Sequence, residues 1–118
     1  MNYVRCIHNQ TLWKDDPAET YDPLLVVGHV YKIAPPEEND GPDWLRIFSE
    51  DGEDYLYPAR YFEPFHAIVT AEAEASITAH LPPDLKQLVR AEALSAGKTM
   101  SSLVREWIEE RLDLAVPA

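Results

Sequence analysis

Four histidines and a single cysteine are among the side chains that could hold a metal or attack a substrate in this 118-residue chain. None of the histidines shows the H-x-x-x-H or Cys/His spacing of a zinc site. They lie far apart, at His8, His29, His66 and His80. Cys6 and His8 share one face of a predicted strand, but two ligands do not make a metal site. Because no glycine-rich phosphate loop or nucleophile elbow occurs either, the sequence predicts no catalytic residue, no metal, no cofactor and no enzyme activity.

Acidic residues dominate the charge. The chain has 21 acids against 10 Lys and Arg, which gives a net charge of −11. Neighbouring acids occur at Asp15-Asp16, Glu37-Glu38 and Asp51/Asp54, in stretches that resemble loops, and we expect them to be solvated surface. A chain of this charge should be repelled by nucleic acids and membrane surfaces unless a local patch overrides the average.

Cysteine content and hydropathy bear on the compartment. One cysteine cannot form an internal disulfide, which is typical of a reducing environment. No apolar run approaches 18 residues, and the first residues lack the layout of a secretory signal. We therefore expect a cytoplasmic protein that does not contact the membrane.

The composition changes near residue 66. Of the 12 aromatic residues, 11 precede residue 67, whereas the remainder is rich in Ala, Leu, Glu and Arg. This change predicts an α+β protein with a β domain over residues 1–66, a linker over residues 67–75 and a second domain over residues 76–114.

The first half contains several strand signals. Strands are predicted at residues 3–8, 29–33, 44–49 and 53–57, with a hairpin turn at Asp51-Gly52 and a short helical turn after Pro58. The order LLVVGHVYKI, WLRIFSEDGEDYLYP and RYFE resembles small SH3-like barrels. Four or five short strands in about 65 residues also indicate a small antiparallel barrel, and we expect most of its Tyr and Trp side chains to pack in the core. The resemblance assigns no ligand.

The second half predicts one strand and two helices. Residues 75–81 alternate between apolar and polar side chains, as a strand does. Helices are predicted at residues 84–96 and 100–112, with Gly97 ending the first and Thr99 or Ser101 capping the second. About 40 residues of this kind cannot bury a core alone, and a lone strand leaves its ladder open. A two-fold dimer solves both problems, with a core of Ile77, Ala79, Leu81, Leu85, Val89, Leu103, Val104 and Trp107.

The segment SITAHLPPDLKQLVRAEALSAGKTMSSLVREWIEERL (residues 76–112) resembles the ribbon-helix-helix family of DNA-binding proteins. The resemblance implies that two paired strands enter the major groove, where Ser76, Thr78 and His80 would read base edges. It also implies phosphate binding where the second helix begins, by Lys98, Thr99, Ser101 and Ser102. A solvated strand face and a plain helix cap would show the same residues. The ribbon carries no Arg or Lys, so arginine–guanine contacts are absent from it.

Two functions follow as hypotheses. The first is a homodimeric regulator that binds a double-stranded DNA operator, either as a repressor or as an antitoxin whose acidic N-terminal domain neutralises a basic toxin. The second is an acidic interaction protein that binds a basic partner or mimics nucleic acid, and that uses its C-terminal half only to dimerise.

Overall fold

A computed structural model describes residues 3–12, 19–67 and 75–113. Its contacts divide the chain into two compact units, Met1–His66 and Ala67–Ala118. The described residues form five strands and two α-helices, so the chain is a mixed α+β protein. Most of the predicted linker, and the acid pair Asp15-Asp16, lie outside the described residues.

The N-terminal unit contains all five strands. They are β1 (Tyr3–Cys6), β2 (Val30–Lys32), β3 (Trp44–Phe48), β4 (Asp54–Pro58) and β5 (Phe62–Pro64). Four of them fall within the predicted strands to one or two residues. The fifth, β5, lies in a stretch predicted only as a helical turn, and that turn is present just before it as the 3₁₀ helix Ala59–Tyr61.

The strands form two antiparallel sheets, one with the order β2-β1-β5 and one from the β3–β4 hairpin. A single bridge between Ile33 and Ile47 links them. The predicted small antiparallel barrel is not confirmed, because the described strands form two separate sheets. Pro35 and Pro36 supply a physical reason: they follow Ile33 and Ala34, which still pair with β3, and proline has no N–H with which to continue that ladder.

One hydrophobic core holds the N-terminal unit together. It consists of Val4, Cys6, Leu25, Tyr31, Ile47, Tyr57, Tyr61 and Phe62. The prediction that most Tyr and Trp side chains pack in the core is confirmed for Tyr31, Tyr57 and Tyr61, and Tyr21 packs edge-on against Tyr57 at 5.1 Å. It is wrong for Trp44 and Tyr55, which are exposed. Leu25 lies in the turns formed by residues 21–28 and is nevertheless fully buried in the core. These turns are held against β1, where the Gly28 amide donates to the Cys6 carbonyl.

Side-chain alternation in β3 follows the sequence pattern. Ile47 is buried and Leu45 half-buried, whereas Trp44 and Phe48 on the other face are exposed. The hairpin turn also forms as predicted: the Ser49 amide donates to the Glu53 carbonyl, and Gly52 has a φ of 82°, which glycine adopts without steric cost. One face of β3 therefore packs into the core, and the other presents aromatic side chains at the surface.

The C-terminal unit contains α1 (Pro83–Ala96) and α2 (Met100–Arg111). Both predicted helices are confirmed to within one residue. Gly97 ends α1 in the left-handed conformation with a φ of 67°, and its N–H and that of Lys98 donate to carbonyls of the last turn. No helix among the described residues combines the length and apolarity needed to cross a bilayer.

Candidate functional site

Residues 75–82 precede α1 and carry the predicted base-reading side chains. Ser76, Thr78 and His80 are exposed, as their proposed role requires. The strand predicted here is not formed in the single chain, since the segment has no helix or strand assignment and pairs with no described strand. Ile77, which an apolar face would bury, is 89% exposed.

The predicted dimer-core side chains are mostly uncovered. Among the described residues of the C-terminal unit, Ala93 and Leu103 are the buried ones. Val89 is half-buried, and the rest of the predicted set is exposed: Ile77, Ala79, Leu81, Leu85, Val104 and Trp107. The helix pair is therefore formed, but most of its apolar side chains remain partly uncovered.

The start of α2 is capped by a side chain. Thr99 Oγ1 accepts the Ser102 N–H at 3.0 Å, and the Thr99 hydroxyl donates to Ser102 Oγ at 2.9 Å. Thr99 is thus a helix cap, as predicted, and the Ser102 amide is already satisfied. The amides of Met100 and Ser101 find no acceptor among the described residues, so these two could donate to an anion.

Lys98 is the cation predicted to reinforce phosphate binding. Its ammonium group donates to the carboxylate of Glu106 on α2. The positive charge next to the helix start is therefore balanced within the unit, and a phosphate there would share Lys98 with Glu106.

A cluster of ions on the β3–β4 hairpin was not predicted. Arg46 holds Asp40 with two parallel contacts, Nε to Oδ2 at 3.0 Å and Nη2 to Oδ1 at 2.9 Å. Its Nη1 donates to Asp54 Oδ2 at 3.2 Å, and Glu37 lies 3.4 Å from Nη2. The expectation that Glu37 and Asp54 are merely solvated was therefore incomplete. The signal that could have found the cluster is Arg46 itself, the only base among residues 37–54.

The cluster is largely shielded from water at its centre. The side chains of Arg46 and Asp40 are 15% and 9% exposed. The hydrogen bonds from Arg46 and from the Glu37 amide hold the pKa of the Asp40 carboxyl below its ordinary value. Three carboxylates face one guanidinium, so the site keeps a net negative charge.

A second network joins the turn before β2 to the hairpin turn. Glu50 accepts hydrogen bonds from His29 Nδ1 and, at 2.7 Å, from the Tyr31 hydroxyl. These two donors lower the pKa of the Glu50 carboxyl. The Val26 amide donates to the Tyr31 oxygen at 2.8 Å. The network therefore holds the turn before β2 in place and also stabilises the charged form of Glu50.

The residues considered for metal binding do not assemble a site. Cys6 lies in the core with its Sγ 3.3 Å from the His8 carbonyl, and burial raises the pKa of its thiol. The His8 ring packs edge-on against Tyr61 at 4.5 Å. Across the ranges 3–12, 19–67 and 75–113, no group of three potential metal ligands comes together.

The geometry therefore offers two surfaces: the exposed strand-like segment with its helix pair, and the acidic hairpin. In comparisons with known proteins, no family model, no curated protein and no solved structure matches the chain.

Proposed function

We propose that this chain is a homodimeric DNA-binding regulator whose C-terminal unit has the ribbon-helix-helix arrangement. The observation that carries the proposal is the exposure of Ile77 and of the helix faces beside it. Two helices with two buried side chains are too small a core for a stable unit. A second copy would pair residues 76–81 antiparallel and cover this surface.

The dimer would present one polar row to DNA. When two such strands pair, Ile77, Ala79 and Leu81 turn toward the helices, and the alternate side chains turn outward. A two-stranded ribbon fits the major groove, which is about 12 Å wide. Ser76, Thr78 and His80 then lie at the base edges, and the amides of Met100 and Ser101 can donate to a phosphate.

The N-terminal unit supports a related proposal about its fold. The sheet order β2-β1-β5, the separate hairpin, the 3₁₀ helix between β4 and β5, and the bridge at Ile33 together favour an SH3-like, partly open barrel. Nuclear Overhauser contacts between β2 and β3, beyond the Ile33–Ile47 bridge, would support the barrel. If a completely assigned spectrum shows no such contacts, the unit consists of two separate sheets and the barrel proposal is wrong.

Selection from a pool of random duplexes, followed by mobility shifts, tests the DNA proposal. We expect enrichment of a short pseudo-palindrome, and a shallow salt dependence because few cations neutralise phosphates. Thr78→Ala and His80→Ala should each weaken binding about tenfold, within the ~1–3 kcal/mol that a good base contact supplies.

The matched controls are Thr20→Ala and His66→Ala, exposed residues of the other unit. They should leave the mobility shift unchanged. If no sequence is enriched at low salt, the DNA-binding proposal is wrong. If a sequence is enriched but all four variants bind alike, Thr78 and His80 do not read the bases.

A second candidate function is supported by the charges. Lys98 is engaged by Glu106, the ribbon has no Arg or Lys, and Arg46 is enclosed by carboxylates. These facts favour an interaction protein that dimerises through its C-terminal unit and binds a basic partner. An antitoxin would combine both functions, with DNA bound by one unit and a basic toxin by the other.

A further inference from the structure

The negative charge of the N-terminal unit is concentrated in one stretch. Residues 37–54 contain eight acids and one base, a net charge of −7, whereas the whole unit Met1–His66 has 13 acids and five bases, a net charge of −8. This stretch comprises the loop before β3, the strand itself and the turn into β4. The remaining residues of the unit are thus almost neutral in sum.

The same hairpin exposes aromatic side chains. Its outward face, called here the hairpin face, consists of Trp44, Arg46 and Phe48 on β3 and of Pro58, Leu56 and Asp54 opposite them on β4. Pro58, which lies opposite Trp44, is fully buried. Trp44 is 41% exposed and Phe48 38% exposed. The outward face of an ordinary solvated strand carries polar side chains. This face differs, because it carries large aromatic rings beside carboxylates whose negative charge is not fully neutralised.

Hydrogen bonds and packing hold the loop before β3 against the hairpin face. The paired contacts from Arg46 to Asp40 fix the preceding loop, and the Gly41 carbonyl accepts the Trp44 amide at 3.2 Å. A Cβ on Gly41 would lie 3.1 Å from Trp44 Cδ1, so the loop packs directly against the indole. A surface that is already ordered loses little conformational entropy on binding.

We propose that the hairpin face is a docking surface for an arginine- or lysine-rich segment of a partner protein. The net charge of −7 on residues 37–54 repels nucleic acids and anionic lipid surfaces from this hairpin and attracts a basic chain. Trp44 and Phe48 are partly exposed, and aromatic rings can hold a guanidinium or ammonium group by cation–π contact. Glu37 and Asp54 each keep part of their charge uncompensated, because both share Arg46 with Asp40.

This inference rests on the second candidate function and names its surface and partner chemistry. It does not depend on DNA binding, which belongs to the C-terminal unit. A failed DNA selection would therefore leave it standing, and failed peptide binding would leave the DNA-binding proposal standing.

The test uses the full chain and a fluorescent ten-residue peptide of alternating arginine and glycine. We measure its affinity by anisotropy and map its contacts by amide shift changes in NMR spectra. Trp44→Leu should weaken binding about fivefold to tenfold because it removes the aromatic face. Trp44→Phe should keep most of the affinity. Glu37→Gln should weaken binding about twofold to fivefold.

The matched control is Glu63→Gln, which removes the same charge from an exposed site on β5. It should change the affinity less than Glu37→Gln does. The expected shift changes cluster at residues 37–56 and include the Trp44 indole. Equal weakening by both Gln variants, with Trp44→Leu unchanged, would mean that only bulk charge attracts the peptide and would overturn the proposal. Shift changes spread over acids of both units, or no binding at low salt, would overturn it too, whether or not a Trp44 variant folds.

Discussion

Arg46 shows how one cation organises an acidic surface. Its fork-shaped guanidinium binds Asp40 in two places and still reaches Asp54 and Glu37. The acids come from a loop upstream and from the next strand, so their spacing along the chain gives no local signal. Sequence patterns located the strand and its exposed face, but only the folded hairpin brings these carboxylates together.

The Asp40 contact makes stability depend on pH in the acid range. The folded pKa of Asp40 lies below its ordinary value of 3.8, so the carboxylate form stabilises the fold above that value. This contribution is lost as the pH falls through the folded pKa. We expect Asp40→Asn to be less stable than the parent chain at pH 7, with a difference that shrinks below about pH 4.

Urea unfolding between pH 3 and pH 7 measures this difference. Asp43→Asn is the control, since Asp43 is an exposed acid of the same loop with no ion pair among the described residues. The free energy of unfolding of Asp43→Asn should stay close to that of the parent chain from pH 3 to pH 7. A difference for Asp40→Asn that is constant with pH would contradict the role given to the carboxylate.

Cys6 should be unreactive in the folded chain. It is 1% exposed, and burial raises the pKa of its thiol, so little thiolate forms near neutral pH. A disulfide reagent at pH 8 should modify it at least ten times more slowly in buffer than in urea, measured by thiolate release. Since the chain has one cysteine, the signal is unambiguous. Rapid modification of the folded protein would show that the β1 core opens readily.

At the scale of elements, local rules explain most of what could be predicted. Both helices, the Gly97 stop and the Thr99 cap follow from short-range preferences. The strand at 76–81 was predicted from alternation, yet it is not formed in the single chain, because a strand also needs a ladder partner. In the same way β5 escaped prediction: three residues, one of them proline, give no periodic signal, and pairing with β1 makes it a strand.

Gly97 supports a prediction about the helix pair. Its φ of 67° is costly for residues with a Cβ, while the space around it is open. Gly97→Ala should therefore destabilise the C-terminal unit by about 1 kcal/mol through the backbone alone. Gly97→Asn should lose less, since asparagine tolerates this conformation. Helical circular dichroism during urea unfolding measures both, and equal stability of the Ala and Asn variants would contradict the prediction.

At the scale of the whole molecule, the two units differ in self-sufficiency. The N-terminal unit has a continuous core with hydrogen-bonded polar groups, whereas the C-terminal unit leaves most of its apolar side chains exposed. Composition predicted this difference, because the second half is too short to enclose its own apolar residues. What composition could not supply is the identity of the covering surface, and we propose a second copy of the same chain.

The mass of the chain in solution tests this claim most directly. Sedimentation equilibrium should give twice the 13.4 kDa of one chain. Ile77→Glu, at an exposed position of the single chain, should weaken the dimer about a hundredfold or more, because each copy forgoes roughly 1.5–3 kcal/mol of side-chain burial. Val27→Glu, an equally drastic change at an exposed site of the other unit, should leave the mass unchanged. A folded parent chain with the mass of one copy at every concentration would contradict the account.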